Sequence, residues 1–206
     1  MVEKLFGDIK EIMKKLNDVK EILEKLNDAS KIDASIKVVE EIKRGTKRVP
    51  HNHINILYLL KEVMGDSCKN YLEIGTLWGG SMGVVLQSKF SSNFYGLDLF
   101  VPFFADKIDI TTVSESIKKL NKHEHFFELI KGDCSDPKII DLVNKKIPNG
   151  VDLLFIDGDH AQEAVVRDFN NFKHIVNKDG FIVFDDYAFL STVKDAVDQL
   201  NLDEFN

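Results

Sequence analysis

Aspartate and histidine side chains follow two apolar segments in the second half of the chain. The segment VDLLFIDGDH contains Asp157 and His160, and the segment GFIVF is followed by Asp185 and Asp186. Carboxylates that share one cleft raise one another's pKa unless a cation neutralises them. Because oxygen ligands with no cysteine nearby suit a hard ion, we predict that Asp157, Asp185 and Asp186 bind Mg²⁺ or another divalent cation.

His160 stands three residues after Asp157, beside this predicted metal site. Because the ordinary pKa of an imidazole is about 6.5, His160 is a suitable general base. The alternative is a residue at the start of a helix that bonds only to backbone. Asp159 is assigned to capping or turn formation and stays outside the predicted metal site.

Short apolar segments alternate with helical patterns from Asn70 onward, and this alternation predicts how the acids are positioned. The apolar segments are NYLEI, NFYGLDL, FFELI, VDLLFI and GFIVF, and the helical patterns cover residues 81–89, 113–121, 138–145, 161–176 and 192–200. Such a pattern predicts an α/β fold with a doubly wound, mostly parallel, Rossmann-like sheet of strand order 3-2-1-4-5. Ligands of such sheets bind beyond the carboxyl ends of the strands.

The first apolar segment runs into a glycine-containing loop, EIGTLWGG, at residues 73–80. Gly75 permits a tight turn, while Gly79 and Gly80 let the backbone approach a ligand before the next helix. The spacing is not G-x-G-x-x-G, and the following helix does not start with a phosphate-binding lysine. The expected ligand is therefore not a pyrophosphate, which disfavours a nicotinamide-dependent oxidoreductase.

Acidic residues also end the second and third predicted strands. Asp98 could accept hydrogen bonds from both hydroxyls of a ribose, and Asp133 in KGDC could accept one from an exocyclic adenine amine. Each acid could equally cap a helix or form a turn. Together with the glycine loop they predict a nucleoside site without phosphates.

The ordered set LEIGTLWGG, GLDLF, KGDC, FIDGDH and FDDY, over Asn70 to Tyr187, resembles the class I S-adenosylmethionine-dependent methyltransferases. It is most similar to the metal-dependent small-molecule O-methyltransferases of the macrolide-sugar type. The resemblance implies S-adenosylmethionine as cofactor, with its methionine part at Glu73 and Gly75, its ribose at Asp98 and its adenine at Asp133. It also implies that His160 is the general base. The implied cofactor-binding residues are Glu73, Gly75, Thr76, Gly79, Ser81, Asp98, Asp133 and Asp157.

The resemblance predicts a metal-dependent O-methyltransferase that moves a methyl group from S-adenosylmethionine to a hydroxyl of a sugar or sugar-bearing metabolite. A metal on the acceptor hydroxyl would lower the pKa of that hydroxyl and fix its oxygen. One alternative is a catechol-type phenol acceptor, for which LFVPFF after Asp98 could form an apolar wall. Another is a non-catalytic coiled-coil assembly module, which would have no use for the clustered acids.

The first thirty residues have a different pattern. Apolar residues recur every seven positions at Leu5, Ile12, Val19 and Leu26, and a second series interleaves at Ile9, Leu16 and Leu23. This pattern predicts a coiled-coil helix of about three heptads that makes the protein self-associate. The alternative, favoured by the wider stripe that Met13 and Ile22 create, is an amphipathic helix packed on its own domain. We therefore divide the chain into this helix, residues 1–30, and a methyltransferase domain, residues 31–206.

The composition limits the kinds of partner that are expected. The net charge of −7 argues against nucleic acid or an anionic membrane, so a small-molecule acceptor is expected. The two cysteines, Cys68 and Cys134, have no metal-type spacing, and no segment has the length and apolarity of a spanning helix. A cytoplasmic protein is expected.

One departure from the family concerns the end of the sheet. The family's sheet has two further strands after the fifth, whereas this chain ends at Asn206, soon after Tyr187. We expect either a shortened or excised domain or a sheet edge completed by something else. An uncovered edge would invite pairing with another chain.

Overall fold

The computed structural model of the protein describes residues 24–25, 28–43, 54–102 and 108–201. Most of the heptad segment lies outside the described residues, so the coiled coil and the division of the chain at residue 30 stay predictions. The helices are α1 (Ala29–Lys43), α2 (Asn55–Met64), α3 (Gly80–Val85), α4 (Ile110–Leu120), α5 (Pro137–Lys146), α6 (Gln162–Phe172) and α7 (Ser191–Asp198). The strands are β1 (Asn70–Ile74), β2 (Asn93–Asp98), β3 (Phe126–Lys131), β4 (Val151–Ile156) and β5 (Val176–Phe184).

The strands form one parallel sheet in the order β3-β2-β1-β4-β5, which confirms the predicted architecture. The register aligns Ile74 with both Leu97 and Ile156, and Asp98 with Lys131. Because all strands point the same way, their carboxyl ends lie along one edge of the sheet, which we call the carboxyl edge. The loops that follow the five strands therefore begin side by side there.

Alternating side chains of the strands fill two cores, one on each face of the sheet. Tyr71, Phe94 and Phe155 face helices α1 to α4, while Leu72, Tyr95 and Leu154 face α5 and α6. Helix α7 packs against α6 through a smaller apolar cluster. This two-sided burial explains why β1 and β4 are nearly continuous apolar segments. Along the described part of the chain, no helix has the combination of length and apolarity that crossing a bilayer requires.

Several element boundaries differ from the sequence prediction. Helix α3 ends at Val85, and the Gln87 amide then donates to the carbonyl oxygens of Gly83 and Leu120, at 2.9 and 2.8 Å, which ties the chain to α4. Strand β5 begins at Val176, before the apolar GFIVF segment, and its pairing with β4 shifts register between Val151 and Leu153. Residues 161–176, predicted as one helix, instead comprise α6, a 3₁₀ turn at Lys173–Ile175 and the first residue of β5.

Candidate active site

The turn after β1 makes direct contact with the end of β4. Gly75 has φ +92°, and a Cβ there would lie 1.9 Å from the carbonyl oxygen of Asp157. The Gly75 N–H donates to the Leu97 carbonyl at 2.8 Å, and the Asp157 N–H donates to the Ile74 carbonyl at 2.8 Å. Only glycine fits this position, and it joins the glycine loop to the acid-bearing loop.

Glu73 lies fully buried in β1, below this turn. Its carboxylate accepts hydrogen bonds from the Tyr71 hydroxyl at 2.6 Å and from the Ser81 hydroxyl at 2.9 Å. Burial raises the pKa of Glu73 to about 8, although both hydrogen bonds act in the opposite direction. Since Ser81 belongs to the first turn of α3, Glu73 fastens the start of that helix to the strand.

The remaining predicted residues of the glycine loop shape the turn. The Gly79 N–H donates to the Thr76 carbonyl at 2.7 Å, and Gly79 has φ +74° immediately before α3. The Thr76 side chain is only 1% exposed, and its hydroxyl has no hydrogen-bond partner. A Cβ on Gly96 of β2 would lie 2.5 Å from that hydroxyl, so the Thr76 side chain packs against the sheet.

Asp98 links the end of β2 to the glycine loop. Its Oδ2 accepts from the Leu77 N–H at 2.8 Å, and its Oδ1 accepts from the Phe100 N–H at 2.7 Å. Leu77 and Phe100 both have positive φ, +47° and +44°, so the carboxylate holds two strained turns in place. Each carboxylate oxygen has a second lone pair, which a ribose hydroxyl could use.

Asp133 follows β3 and forms a turn, which the sequence analysis gave as the alternative to an adenine contact. Its Oδ1 accepts from the Ser135 N–H at 2.8 Å and from the Ser135 hydroxyl at 2.7 Å. These hydrogen bonds lower the pKa of Asp133, which keeps the carboxylate ionised. An ionised acceptor at the carboxyl edge is compatible with the predicted adenine contact.

The acids after β4 and β5 surround His160. The His160 Nε2 lies 3.3 Å from Asp157 Oδ1, and its Nδ1 lies 3.7 Å from Asp186 Oδ2. Burial, with the charge of Asp185 adding to it, raises the pKa of Asp157 to about 7. The hydrogen bond to Asp157 and then the nearby negative charges raise the pKa of His160. The structure thus brings together all four residues that the sequence singled out here.

Backbone contacts fix these positions. The Asp185 N–H donates to the Ile156 carbonyl at 3.0 Å, which continues the pairing of β4 with β5 beyond the last strand residue. Asp186 has φ +53°, so the chain turns immediately afterwards. The Ala161 N–H donates to Asp159 Oδ1 at 3.0 Å, so Asp159 forms the turn before α6, which is one of the two roles predicted for it.

The fit of a divalent cation depends on donor chemistry and on placement. The carboxyl groups of Asp157, Asp185 and Asp186 offer hard oxygen donors, and burial, with the charge of Asp185 adding to it, raises the pKa of Asp157, an effect that a bound cation would oppose. As placed, however, His160 lies between Asp157 and Asp186, and within the described ranges no three His, Cys, Asp or Glu side chains are arranged to hold a metal ion. The donor chemistry fits a cation, and the metal site itself stays a prediction.

The sequence reasoning missed a carboxylate in α6. Asp168 is fully buried, and its Oδ1 accepts from the Cys134 thiol and from Arg167, each at 3.2 Å. Burial raises the pKa of Asp168. The sequence could have indicated this burial, because Ala164, Asp168 and Phe172 are spaced by four residues and share one buried helix face.

This arrangement belongs to a known class. A family model described as a methyltransferase domain matches residues 72–187, more than half of the chain, from within β1 to Tyr187. The chain therefore belongs to the methyltransferase domain family, with the class I fold that the sequence resemblance implied. The matched range contains every residue of the predicted cofactor, metal and base sites.

Three similar proteins illustrate the relationship. An uncharacterised protein of Acanthamoeba polyphaga mimivirus is 38% identical over 141 residues, which are 68% of this chain and 61% of that protein. This chain thus matches less than two thirds of that relative's length. The calicheamicin-pathway TDP-rhamnose 3'-O-methyltransferase CalS11 is 13% identical, with TM-score 0.56, over 85% of this chain and 86% of its own. A Staphylococcus aureus protein assigned as a candidate caffeoyl-CoA O-methyltransferase is 19% identical, with TM-score 0.52, over 91% and 79%. At these identities the two solved structures show a shared fold.

Proposed function

We propose that the protein is an S-adenosylmethionine-dependent O-methyltransferase that methylates a sugar hydroxyl and uses a divalent metal. The observation that carries this proposal is the position of His160, in contact with Asp157 and Asp186 on the same edge as the glycine loop. A base beside a nucleoside-type site is what methyl transfer to a hydroxyl requires, because the sulfonium itself needs no proton chemistry.

The β1–β2 side of the edge would bind the cofactor. Gly75 brings the loop against Asp157, and Glu73 lies buried below it, where it holds Ser81 at the start of α3 next to where the methionine part would lie. Asp98 and Asp133 are acceptors for the ribose hydroxyls and the adenine amine. These roles are supported by the family membership and by the placement of all four residues on one edge.

The base would act through one defined atom. When the His160 Nε2–H donates to Asp157 Oδ1, the Nδ1 lone pair is free to accept the proton of the acceptor hydroxyl. The Asp186 carboxylate, 3.7 Å from Nδ1, then stabilises the imidazolium. Asp157 orients the ring and sets its tautomer, which is the usual function of a carboxylate beside a catalytic histidine.

The metal would be held by Asp157, Asp185 and Asp186, on the basis of their oxygen chemistry. A bound divalent cation would lower the pKa of the acceptor hydroxyl. The Asp157 carboxylate would then serve two purposes, since it also contacts His160, while the Asp157 backbone contacts the glycine loop.

A phenolic acceptor is a second candidate, favoured by exposed apolar side chains next to the site. Leu99 and Val101 follow β2 and are 48% and 47% exposed, and Phe189 follows β5 and is 70% exposed. An aromatic acceptor would cover part of this surface. A sugar linked to an apolar aglycone would do so as well.

The proposal is tested by a methyl-transfer screen with S-adenosylmethionine over sugar nucleotides, glycosides and catechols, with Mg²⁺ and with a chelator. We expect S-adenosylhomocysteine to form with at least one sugar and only when Mg²⁺ is present. Turnover of catechols alone would favour the second candidate. Absence of S-adenosylmethionine binding by calorimetry would contradict both.

A further inference from the structure

One buried carboxylate outside the acid cluster contacts two loops of the site. The Oδ1 of Asp168 accepts from the Cys134 thiol, in the loop after β3, at 3.2 Å. Its Oδ2 faces the loop after β4, where a Cβ on Gly158 would lie 3.0 Å from it. Cys134 directly follows Asp133, and Gly158 directly follows Asp157.

The strands that precede the two loops are not neighbours in the sheet. In the sheet, β3 and β4 are separated by β2 and β1, so no ladder hydrogen bond joins their ends. Helix α6 spans this distance with a second contact, because the Asn171 amide donates to the Cys134 carbonyl at 3.0 Å. Cys134 is thus held to α6 through both its thiol and its backbone.

Asp168 is a costly residue for this position. It is 0% exposed, and although Arg167 pairs with its Oδ1 at 3.2 Å, its Oδ2 has no hydrogen-bond partner. A buried carboxylate oxygen without a donor destabilises a fold, whereas an apolar side chain would not. The rest of this helix face is apolar, with Ala164, Val165, Phe169 and Phe172. Stability alone therefore does not account for a carboxylate at residue 168.

We propose that Asp168 is a positioning residue that fixes the loop of Asp133 and Cys134 relative to the loop of Asp157, Gly158 and His160. The inference rests on the proposed function, in which the cofactor contacts both loops at once. Asp168 itself does not touch the cofactor. Its contribution is to hold both sides of the adenine and ribose site at the separation that binding requires.

The test measures S-adenosylhomocysteine binding by calorimetry alongside the thermal midpoint of each variant. Asp168→Ala and Cys134→Ala remove the contact, and we expect each to weaken binding by roughly fivefold to thirtyfold, the effect of one lost hydrogen bond. Asp168→Asn and Cys134→Ser retain an acceptor and a donor, so both should bind close to wild type. Glu163→Gln removes an exposed carboxylate from the same helix and serves as the matched control.

A double variant separates positioning from general destabilisation. If the two residues act through one contact, Asp168→Ala combined with Cys134→Ala should bind no more weakly than the weaker-binding single variant. Wild-type affinity in both alanine variants, with only a lower thermal midpoint, would overturn the inference and leave the proposed function standing. A wild-type protein that does not bind S-adenosylhomocysteine would overturn both. If Asp168→Ala does not fold, the difference between Cys134→Ala and Cys134→Ser decides the matter.

Discussion

The two sides of the carboxyl edge use their carboxylates in different ways. On the β1–β2 side, Glu73 and Asp98 accept hydrogen bonds only from neutral hydroxyl and backbone N–H donors. On the β4–β5 side, Asp157 and Asp186 face a histidine, and Asp157 also faces the carboxylate of Asp185. The first side is held by hydrogen bonds, whereas the second contains charges that oppose one another.

From this difference we infer which side of the carboxyl edge binds the cofactor and which side takes part in the reaction. A carboxylate with neutral donors is fixed in place and suits recognition, because nothing in its surroundings changes during a reaction. Carboxylates that lie beside a histidine respond when a proton or a cation binds, and such groups are typical of catalytic sites. Variants on the β4–β5 side should therefore affect turnover, and variants on the β1–β2 side should affect affinity.

The largest effect expected is that of removing the metal. Chelation should reduce methyl transfer to background while S-adenosylhomocysteine affinity stays unchanged, because the proposed ligands lie on the reactive side. Asp185→Asn should behave like chelation and recover in part with excess Mg²⁺. The matched control is Asp159→Asn, which changes a neighbouring acid that forms the turn before α6. Full turnover in the presence of chelator would remove the metal from the mechanism.

The second largest effect is expected from loss of the proposed base, His160. His160→Ala should lower kcat by roughly two to four orders of magnitude while leaving cofactor affinity intact. In the wild type, kcat/KM should rise with pH as His160 loses its proton, since only the neutral imidazole can accept the proton of the acceptor hydroxyl. This dependence should disappear in the variant, and high pH should restore part of its activity.

The control for this variant is His174→Ala, which removes an exposed histidine from the 3₁₀ turn after α6. It should keep both the rate and the pH profile of the wild type. Turnover of His160→Ala equal to that of the wild type would show that methyl transfer does not need this histidine. The assignment of the reaction to the β4–β5 side would then be wrong.

A smaller effect, on affinity alone, is expected from Asp98→Ala. The variant loses the acceptors of the Leu77 and Phe100 N–H groups as well as the proposed ribose contact, so binding of S-adenosylhomocysteine should weaken roughly tenfold to hundredfold. Asp152→Ala is the matched control. Asp152 also accepts from two backbone N–H groups, those of Lys69 and Asn70, but at the opposite edge of the sheet. Equal losses of affinity in both variants would indicate general destabilisation.

The fold could be predicted from the sequence because its signals are local. The apolar strands, the helices between them and the turn at Gly75 are each encoded within a few residues, and the alternation then allows few topologies. The start of β5 could not be predicted, because Val176 pairs with Val151 across a register shift that depends on distant residues. The early end of α3 likewise depends on a contact between Gln87 and α4.

The site was predictable only in part, for a similar reason. The sequence identified the acids that end each strand, because strand ends share one edge in a parallel sheet. It left open the turns that Asp98 and Asp133 form with nearby N–H groups, but it did not predict that Asp98 also accepts from Leu77 or that Asp168 contacts Cys134. These last two contacts join residues far apart in the chain, which no spacing rule relates.

A different kind of effect, on stability and not on turnover or affinity, concerns the binding side and its dependence on pH. Burial places the pKa of Glu73 near 8 in the folded protein, against an ordinary value of 4.5. A carboxyl group whose pKa is raised on folding stabilises the fold below its unfolded pKa, and this contribution is lost as pH rises towards the folded pKa. Between about pH 5 and pH 8 the wild type should therefore lose up to roughly 1.4 kcal/mol of unfolding free energy per pH unit through this residue.

Glu73→Gln keeps the shape of the side chain and removes the titration. Urea unfolding at several pH values from 5 to 8 should show that the wild type loses stability relative to the variant as pH rises. The variant should be the less stable protein at pH 5, since its amide cannot accept hydrogen bonds at both positions as the carboxyl oxygens do from Tyr71 and Ser81. Parallel pH profiles for the two proteins would mean that Glu73 is ionised throughout this range. In that case the β1–β2 side would also contain uncompensated charge, and the contrast between its carboxylates and those around His160 would not hold.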